Sequence, residues 1–228
     1  MQHIDFRITE EILTTMWGRK VSYAKPGQQG IRLTPLNLHY EGIQIHEGIN
    51  TILPNSPFLG DKTSPLIIRS DLIDPQFDYD FTTIKDTAPF FRGTTMYKRP
   101  CGWKRLAMTV RGVYDEGHNG WLGMANKPGE WINSYMPTDL PKVKEYLRNN
   151  ATFNQFIKNI YSFDVGIVSM ADADLAEKFA QTVRVNGVTY KFLLQNRVHP
   201  KGHITLSSSD VFICPKECIR PYGFLIKA

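Results

Sequence analysis

Apolar residues recur along this chain at two rhythms, and each predicts a class of element. Residues 188–198 read Val-Thr-Tyr-Lys-Phe-Leu-Leu-Gln-Asn-Arg-Val and follow an Asn186-Gly187 pair. That pair tolerates left-handed backbone, so it signals a tight turn before a long strand. Residues 103–114 read as another strand running into turn residues at 115–120, and 210–214 and 222–226 read as two closing strands. Helical spacing appears at 140–149 and at 153–160, where Phe153, Phe156, Ile157 and Ile160 share one face. Asp172 is placed to cap a third helix carrying Ala173, Ala176, Phe179 and Ala180.

The first 95 residues have a different texture. Pro35, Pro54, Pro57, Pro65 and Pro75, with turn signals at Asn55-Ser56-Pro57 and Asp74-Pro75, argue against long helices and central strands there. Proline has no amide hydrogen to donate and fixes φ. Only residues 9–17 read as a short helix, capped by Thr9, with Ile12, Leu13 and Met16 on one side. Apolar runs such as Ile43-Gln44-Ile45 and Leu66-Ile67-Ile68 predict ordered, extended chain that wraps a neighbouring surface. The expected organisation is an N-terminal extension over 1–95 and an α+β domain over 96–228.

Composition narrows the class. The chain has 228 residues, 42% of them hydrophobic and 12% aromatic, which is enough to bury a core. Trp103, Trp121 and Trp131 are assigned to that core, since aromatics dominate buried area. No window approaches the roughly 18 consecutive apolar residues of a membrane span. Residues 1–14 carry Asp5, Arg7, Glu10 and Glu11 where a secretory signal needs an apolar run, so the expectation is a soluble, intracellular protein.

Charge and cysteines add less. The formal net charge is +5 and the pI about 9.0. The densest basic cluster is Lys98, Arg99, Lys104, Arg105 and Arg111, a nucleic-acid surface only if these side chains share one face. Strand alternation places Lys104 and Arg105 on opposite faces, which favours a solvated surface instead. Cys214 and Cys218 form half of a metal-ligand spacing, but Pro200 and Gly202 interrupt the His199/His203 pair that would complete it. Cys101, Cys214 and Cys218 therefore read as buried or incidental thiols, with no metal. Glu116 and His118 read as a solvated hairpin tip.

Five segments in order carry a resemblance. They are Tyr-Lys-Arg-Pro-Cys-Gly-Trp-Lys-Arg at 97–105, Gly-Glu-Trp at 129–131 with Ser-Tyr-Met-Pro-Thr at 134–138, Gly166-Ile167 with Ala-Glu-Lys-Phe-Ala at 176–180, Tyr-Lys-Phe-Leu-Leu-Gln-Asn-Arg at 190–197, and Ile-Arg-Pro-Tyr-Gly at 219–223. Over residues 96–228 the chain resembles the poly(ADP-ribose) polymerase-like ADP-ribosyltransferases. The resemblance implies a split antiparallel sheet that grips NAD, with ADP-ribose transferred to a protein or nucleic acid. It also implies a His-Gly-Thr motif holding the adenosine ribose, a tyrosine stacked on nicotinamide, and in many members a later glutamate.

The motif positions depart from that pattern. Met136 stands where the histidine is expected, and methionine is a weak acceptor and no donor. Each lost bond removes about 0.5–1.5 kcal/mol. Pro137 replaces the motif glycine and cannot donate the backbone bond that holds nicotinamide. Val168 replaces the stacking tyrosine and offers no ring face. Asp210, or Ser209 one place earlier, stands for the glutamate, one methylene short or more. A displacement of about 1 Å costs on the order of a hundredfold in rate. Tyr135, Thr138, Gly166 and Ser169 are the residues that would touch NAD were it bound. The resulting expectation is a catalytically inactive relative, without cofactor, acting as a binding or structural module for a protein partner. The alternatives are an active mono-ADP-ribosyltransferase with Asp210 as its acid, and a nucleic-acid-binding protein using the cluster from Lys98 to Arg111.

Overall fold

The computed structural model describes residues 2–33, 63–88, 90–92, 95–149, 167–202, 204–205 and 210–228. Along them the chain runs α1 (Gln2–Trp17), β1 (Val21–Tyr23), β2 (Leu66–Ile68), β3 (Tyr79–Asp80), β4 (Phe90–Arg92), β5 (Thr95–Tyr97), β6 (Lys104–Ala107), β7 (Ile132–Met136) and α2 (Leu140–Asn149). It continues through β8 (Ile167–Met170), α3 (Ala173–Glu177), β9 (Gln181–Val185), β10 (Val188–Val198), β11 (Ile204–Thr205), β12 (Val211–Cys214) and β13 (Ile219–Lys227). The expected helix at 153–160 lies outside the described residues.

A nine-stranded sheet organises the fold. Its order is β11-β12-β8-β7-β10-β13-β6-β3, with β9 paired to β10. Every described pairing in it is antiparallel. The architecture is therefore α+β, with a few short helices on a mostly antiparallel sheet. No helix among the described residues is long and apolar enough to cross a membrane.

The long strand β10 forms as its pattern predicts. Asn186 and Gly187 have φ of 51° and 82°, the two positive values that a type I′ turn needs to reverse β9 into β10. Side chains then alternate across the sheet. Phe192 and Leu194 enter one core with Met136, Phe212 and Phe224. Leu193 enters a second core with Tyr135, Val168 and Leu225. Helix α1 lies over the first core, through Ile8, Ile12 and Leu13 against Val183 and Val185. Ala173 and Ala176 of α3 and Val143 of α2 close the second. The first core thus lies on the α1 face of the sheet and the second on its α3 face. All three predicted core tryptophans are buried.

Several boundaries differ from the sequence expectation, each for a visible reason. Helix α1 starts seven residues before Thr9, which is no cap: its hydroxyl donates to Asp5 O at 2.8 Å within the helix. Gly18, at φ 60°, ends α1 in the left-handed conformation that helix termini favour. The strand expected over 103–114 stops at Ala107, because Thr109 N donates to Leu72 O and Gly112 turns at φ 71°. Asp172 caps α3 by accepting from Asp174 N at 2.9 Å. That helix ends at Glu177 rather than Ala180, and Phe179 O accepts instead from Thr138 N and Asp139 N. Strand β13 begins at Ile219 rather than Tyr222, since β10 offers partners as far as Val198. Its register shifts between Gln195 and Asn196, which leaves Tyr222 as the bulged residue.

Residues from the first 95 join the same body. Strand β3 pairs with β6, and Lys104 Nζ reaches Asp5 of α1 at 2.9 Å.

Candidate functional site

The motif residues singled out in the sequence fall on β7, β8 and beside β12, which are neighbours in the sheet. Tyr135 pairs with Met170, Ser169 with Phe212 and Val168 with Ile213. Alternation then separates them. Met136 is buried on the α1 face, whereas Tyr135 and Val168 are buried on the α3 face. Met136 and Val168, the two positions the resemblance would pair in one cleft, thus lie on opposite sides of one sheet. Gly166 and Ser209 lie outside the described residues.

The polar members of the set are tied into the fold. Thr138 donates its hydroxyl to Phe192 O at 3.1 Å and accepts from Gln181 N at 2.8 Å, fastening the end of β7 to β9 and β10. Ser169 donates to Ser134 Oγ at 2.6 Å, wholly buried. Tyr135 donates to Lys98 O at 2.5 Å, and burial, reinforced by Tyr97, pushes its phenol well above the ordinary value. Asp210 is exposed, its carbonyl accepts from Ala171 N at 2.7 Å, and its charge acts on Lys98.

The basic cluster is dispersed. Lys98 pairs with Asp172 at 2.5 Å, Arg99 with Asp86, and Lys104 with Asp5. Arg105 turns the other way from Lys104 and donates to Phe77 O at 2.9 Å. Arg111 lies over the Phe77 ring at 4.7 Å. A groove of about 380 Å³ runs beside β5, where Lys85, Lys98 and Arg99 face Asp86, Asp172 and Asp174 and largely neutralise them. Among the described residues no three His, Cys, Asp or Glu side chains gather as a metal site. Cys214 is buried and its thiol is pushed up to about 12, first by burial and then by Cys218. Glu116 sits on an exposed turn with φ 54°, next to Asp115, whose carboxylate makes two bonds to Arg220 at 2.6 and 2.7 Å.

A second polar group, absent from the sequence expectation, occupies the α3 face at the middle of the sheet. Gln195 and Arg197 of β10 share the side of Leu193 and sit opposite Tyr135 and Asn133 of β7. Both are buried, at 0% and 3% exposure. Arg197 donates to Trp131 O at 2.7 Å and to the carbonyls of Leu122 and Gly123. Tyr222 donates to Asn133 Oδ1 at 2.9 Å, with Arg105 and Arg197 each 5.5 Å from the centre of its ring. Arg92 of β4 lies 5.0 Å from the ring centre of Tyr97 of β5. The available signal was a strand whose core-facing positions turn polar after Leu193.

No family model matches this chain, nor does any curated protein or solved structure with which it was compared.

Proposed function

We propose that this protein is a catalytically inactive, ADP-ribosyltransferase-like binding or structural module that acts through a protein partner. The observation that carries the reading is the placement of Met136 and Val168, buried in separate cores on opposite faces of the sheet. An NAD cleft needs an adenosine-ribose ligand and a nicotinamide platform on one wall, and neither side chain is available to a common cavity. Pro137 between β7 and Thr138 supplies no amide hydrogen, and Thr138 is committed to Phe192 O and Gln181 N. The surface offers a partner apolar contacts instead. Phe91 and Met96 are cross-strand neighbours on the β4–β5 hairpin and stand 41% and 57% exposed.

The test is NAD titration by calorimetry and thermal shift at millimolar NAD, together with labelled-NAD transfer. A ligand at a hundred times its dissociation constant stabilises by about 2.7 kcal/mol. For a chain of this size that is a rise of roughly 5–10 °C. The expected result is no shift and no label on the chain or on added protein. A clear shift, or transfer of ADP-ribose, overturns the reading in favour of an active transferase.

A further inference from the structure

We infer that the polar patch formed by buried Gln195 and Arg197 with half-buried Arg92 and Arg105 on the α3 face is a binding site for a phosphate-class oxyanion. This is independent of any kinship with transferases.

Four strands build the patch. Gln195 and Arg197 come from β10, with Gly223 of β13 paired to Gln195 on one side and to Ala107 of β6 on the other. Gly223 lacks a side chain where Arg105 needs room: a Cβ there would stand 2.7 Å from Arg105 Cγ and 2.8 Å from its Cδ. The Arg105 stem therefore lies across Gly223, the residue paired with Gln195, and its guanidinium donates to Phe77 O. Arg92 enters from the β4–β5 hairpin, whose Tyr97 packs into the core of this same face.

The patch is rich in donors that no described residue satisfies. Among the described residues the Nε atoms of Arg92, Arg105 and Arg197 are buried without a hydrogen-bond partner, as are the amide nitrogen and oxygen of Gln195. Buried polar groups are normally paired, because leaving them dry forfeits their hydration without return. Three guanidinium donors and one amide donor left over against a single acceptor is the balance an anion corrects.

Charge points the same way. Several other cations meet acids: Lys98 meets Asp172, Arg99 meets Asp86, Lys104 meets Asp5 and Arg220 meets Asp115. Arg92, Arg105 and Arg197 instead donate to the carbonyls of Phe91, Phe77, Trp131, Leu122 and Gly123, which carry no formal charge. Asp78, the acid whose field reaches Arg105, accepts from Ala107 N. Glu130, the acid whose field reaches Arg197, is occupied in accepting from Ala125 N and Asn126 N. Burial holds Arg197 below the ordinary guanidinium value, and the positive charge of Arg92 works in the same direction. A carboxylate suits one bidentate arginine, whereas a tetrahedral dianion with several oxygens suits guanidinium groups approaching from separate strands.

The experiment follows thermal unfolding of the full chain against inorganic phosphate, with phosphoserine in a separate arm and sodium chloride holding ionic strength constant. Two variants accompany it, Arg92→Gln at the half-buried rim and Gln195→Glu at the centre. The midpoint of the natural chain is expected to rise by several degrees with phosphate and not with chloride. Arg92→Gln is expected to weaken the response at least tenfold. Gln195→Glu supplies an internal anion, so it is expected to unfold at a higher midpoint without phosphate and to ignore added phosphate. A response to phosphoserine equal to that of phosphate assigns the site to phosphate monoesters; a response to phosphate alone assigns it to the free ion. No response in the natural chain, or an undiminished response in Arg92→Gln, overturns the proposal and leaves ordered water as the occupant. A Gln195→Glu chain that folds but is less stable than the natural one also overturns it. If that variant does not fold, Arg92→Gln alone decides.

Discussion

Replacing Gly223 by alanine separates a packing constraint from a backbone one. Gly223 lies within β13 and is not among the positive-φ glycines, so its φ does not exclude a side chain. Glycine inside a strand is worse than alanine by about 0.5–1 kcal/mol on entropy alone. The contacts reverse that sign. The added methyl would meet Arg105 Cγ at 2.7 Å and Cδ at 2.8 Å, and Leu106 O at 3.2 Å. The Cγ and Cδ atoms are the stem of the side chain, held by the bond from Arg105 to Phe77 O, so the whole side chain has to leave. Overpacking of this kind costs roughly 1–3 kcal/mol, and after subtracting the entropy gain Gly223→Ala is expected to destabilise by about 0.5–2 kcal/mol. In an Arg105→Ala background the stem is gone and only Leu106 O remains close, so the same change should be near neutral. The two positions should therefore couple by about 0.5–2 kcal/mol in a double-mutant cycle, read as shifts in urea midpoint at constant slope. Equal costs of Gly223→Ala in both backgrounds would refute the account of why glycine stands there.

Three other outcomes follow from the same structure. Thr138→Val removes a donor to Phe192 O and an acceptor for Gln181 N, and is expected to lower stability by about 1–3 kcal/mol in urea unfolding. Arg220 holds the Asp115 carboxyl below its ordinary value of 3.8, chiefly through their hydrogen bonds. That pairing stabilises the fold above 3.8 and the gain is lost as pH falls below it. Natural chain and Asp115→Asn should therefore differ in unfolding midpoint near neutrality and converge in acid, by a modest amount because the Asp115 side chain is 47% exposed. Cys214, buried and with its thiol pushed up to about 12, should react with a thiol reagent far more slowly than the half-buried Cys101 and Cys218, and only as the fold opens.

Much of the second half of the fold is readable along the chain because its signals are local. The Asn186-Gly187 turn, the alternation of β10 and the Asp172 cap each rest on a few adjacent residues. Helix α1 is less legible. Gln2, His3 and Asp5 give its opening turn no apolar stripe, and Thr9 resembles a cap while its hydroxyl bonds back inside the helix. The strand expected through residue 114 fails for a non-local reason, since Leu72, far off in sequence, captures Thr109 N. The motif comparison treats residues 136 and 168 as partners by order alone, and order carries no information about which face of a sheet each residue takes. The arginine patch is hidden in the same way. Arg105 and Arg197 belong to β6 and β10, which the strand order sets on either side of β13, and Arg92 comes from the separate β4–β5 pair.

Strand β10 borders β9, β7 and β13, so it is the template on which half of the sheet assembles. Its contact with β9 closes across two residues, whereas β7 must return across a long stretch of chain. Loop-closure entropy makes the hairpin the natural starting point and the β7 pairing a late, slow step. The Asn186-Gly187 turn sets the register of that first pairing. A slip of one residue would exchange the two faces of β10, presenting Leu193, Gln195 and Arg197 where Phe192 and Leu194 belong. Two small residues on the surface therefore set the register from which the rest of the sheet is built.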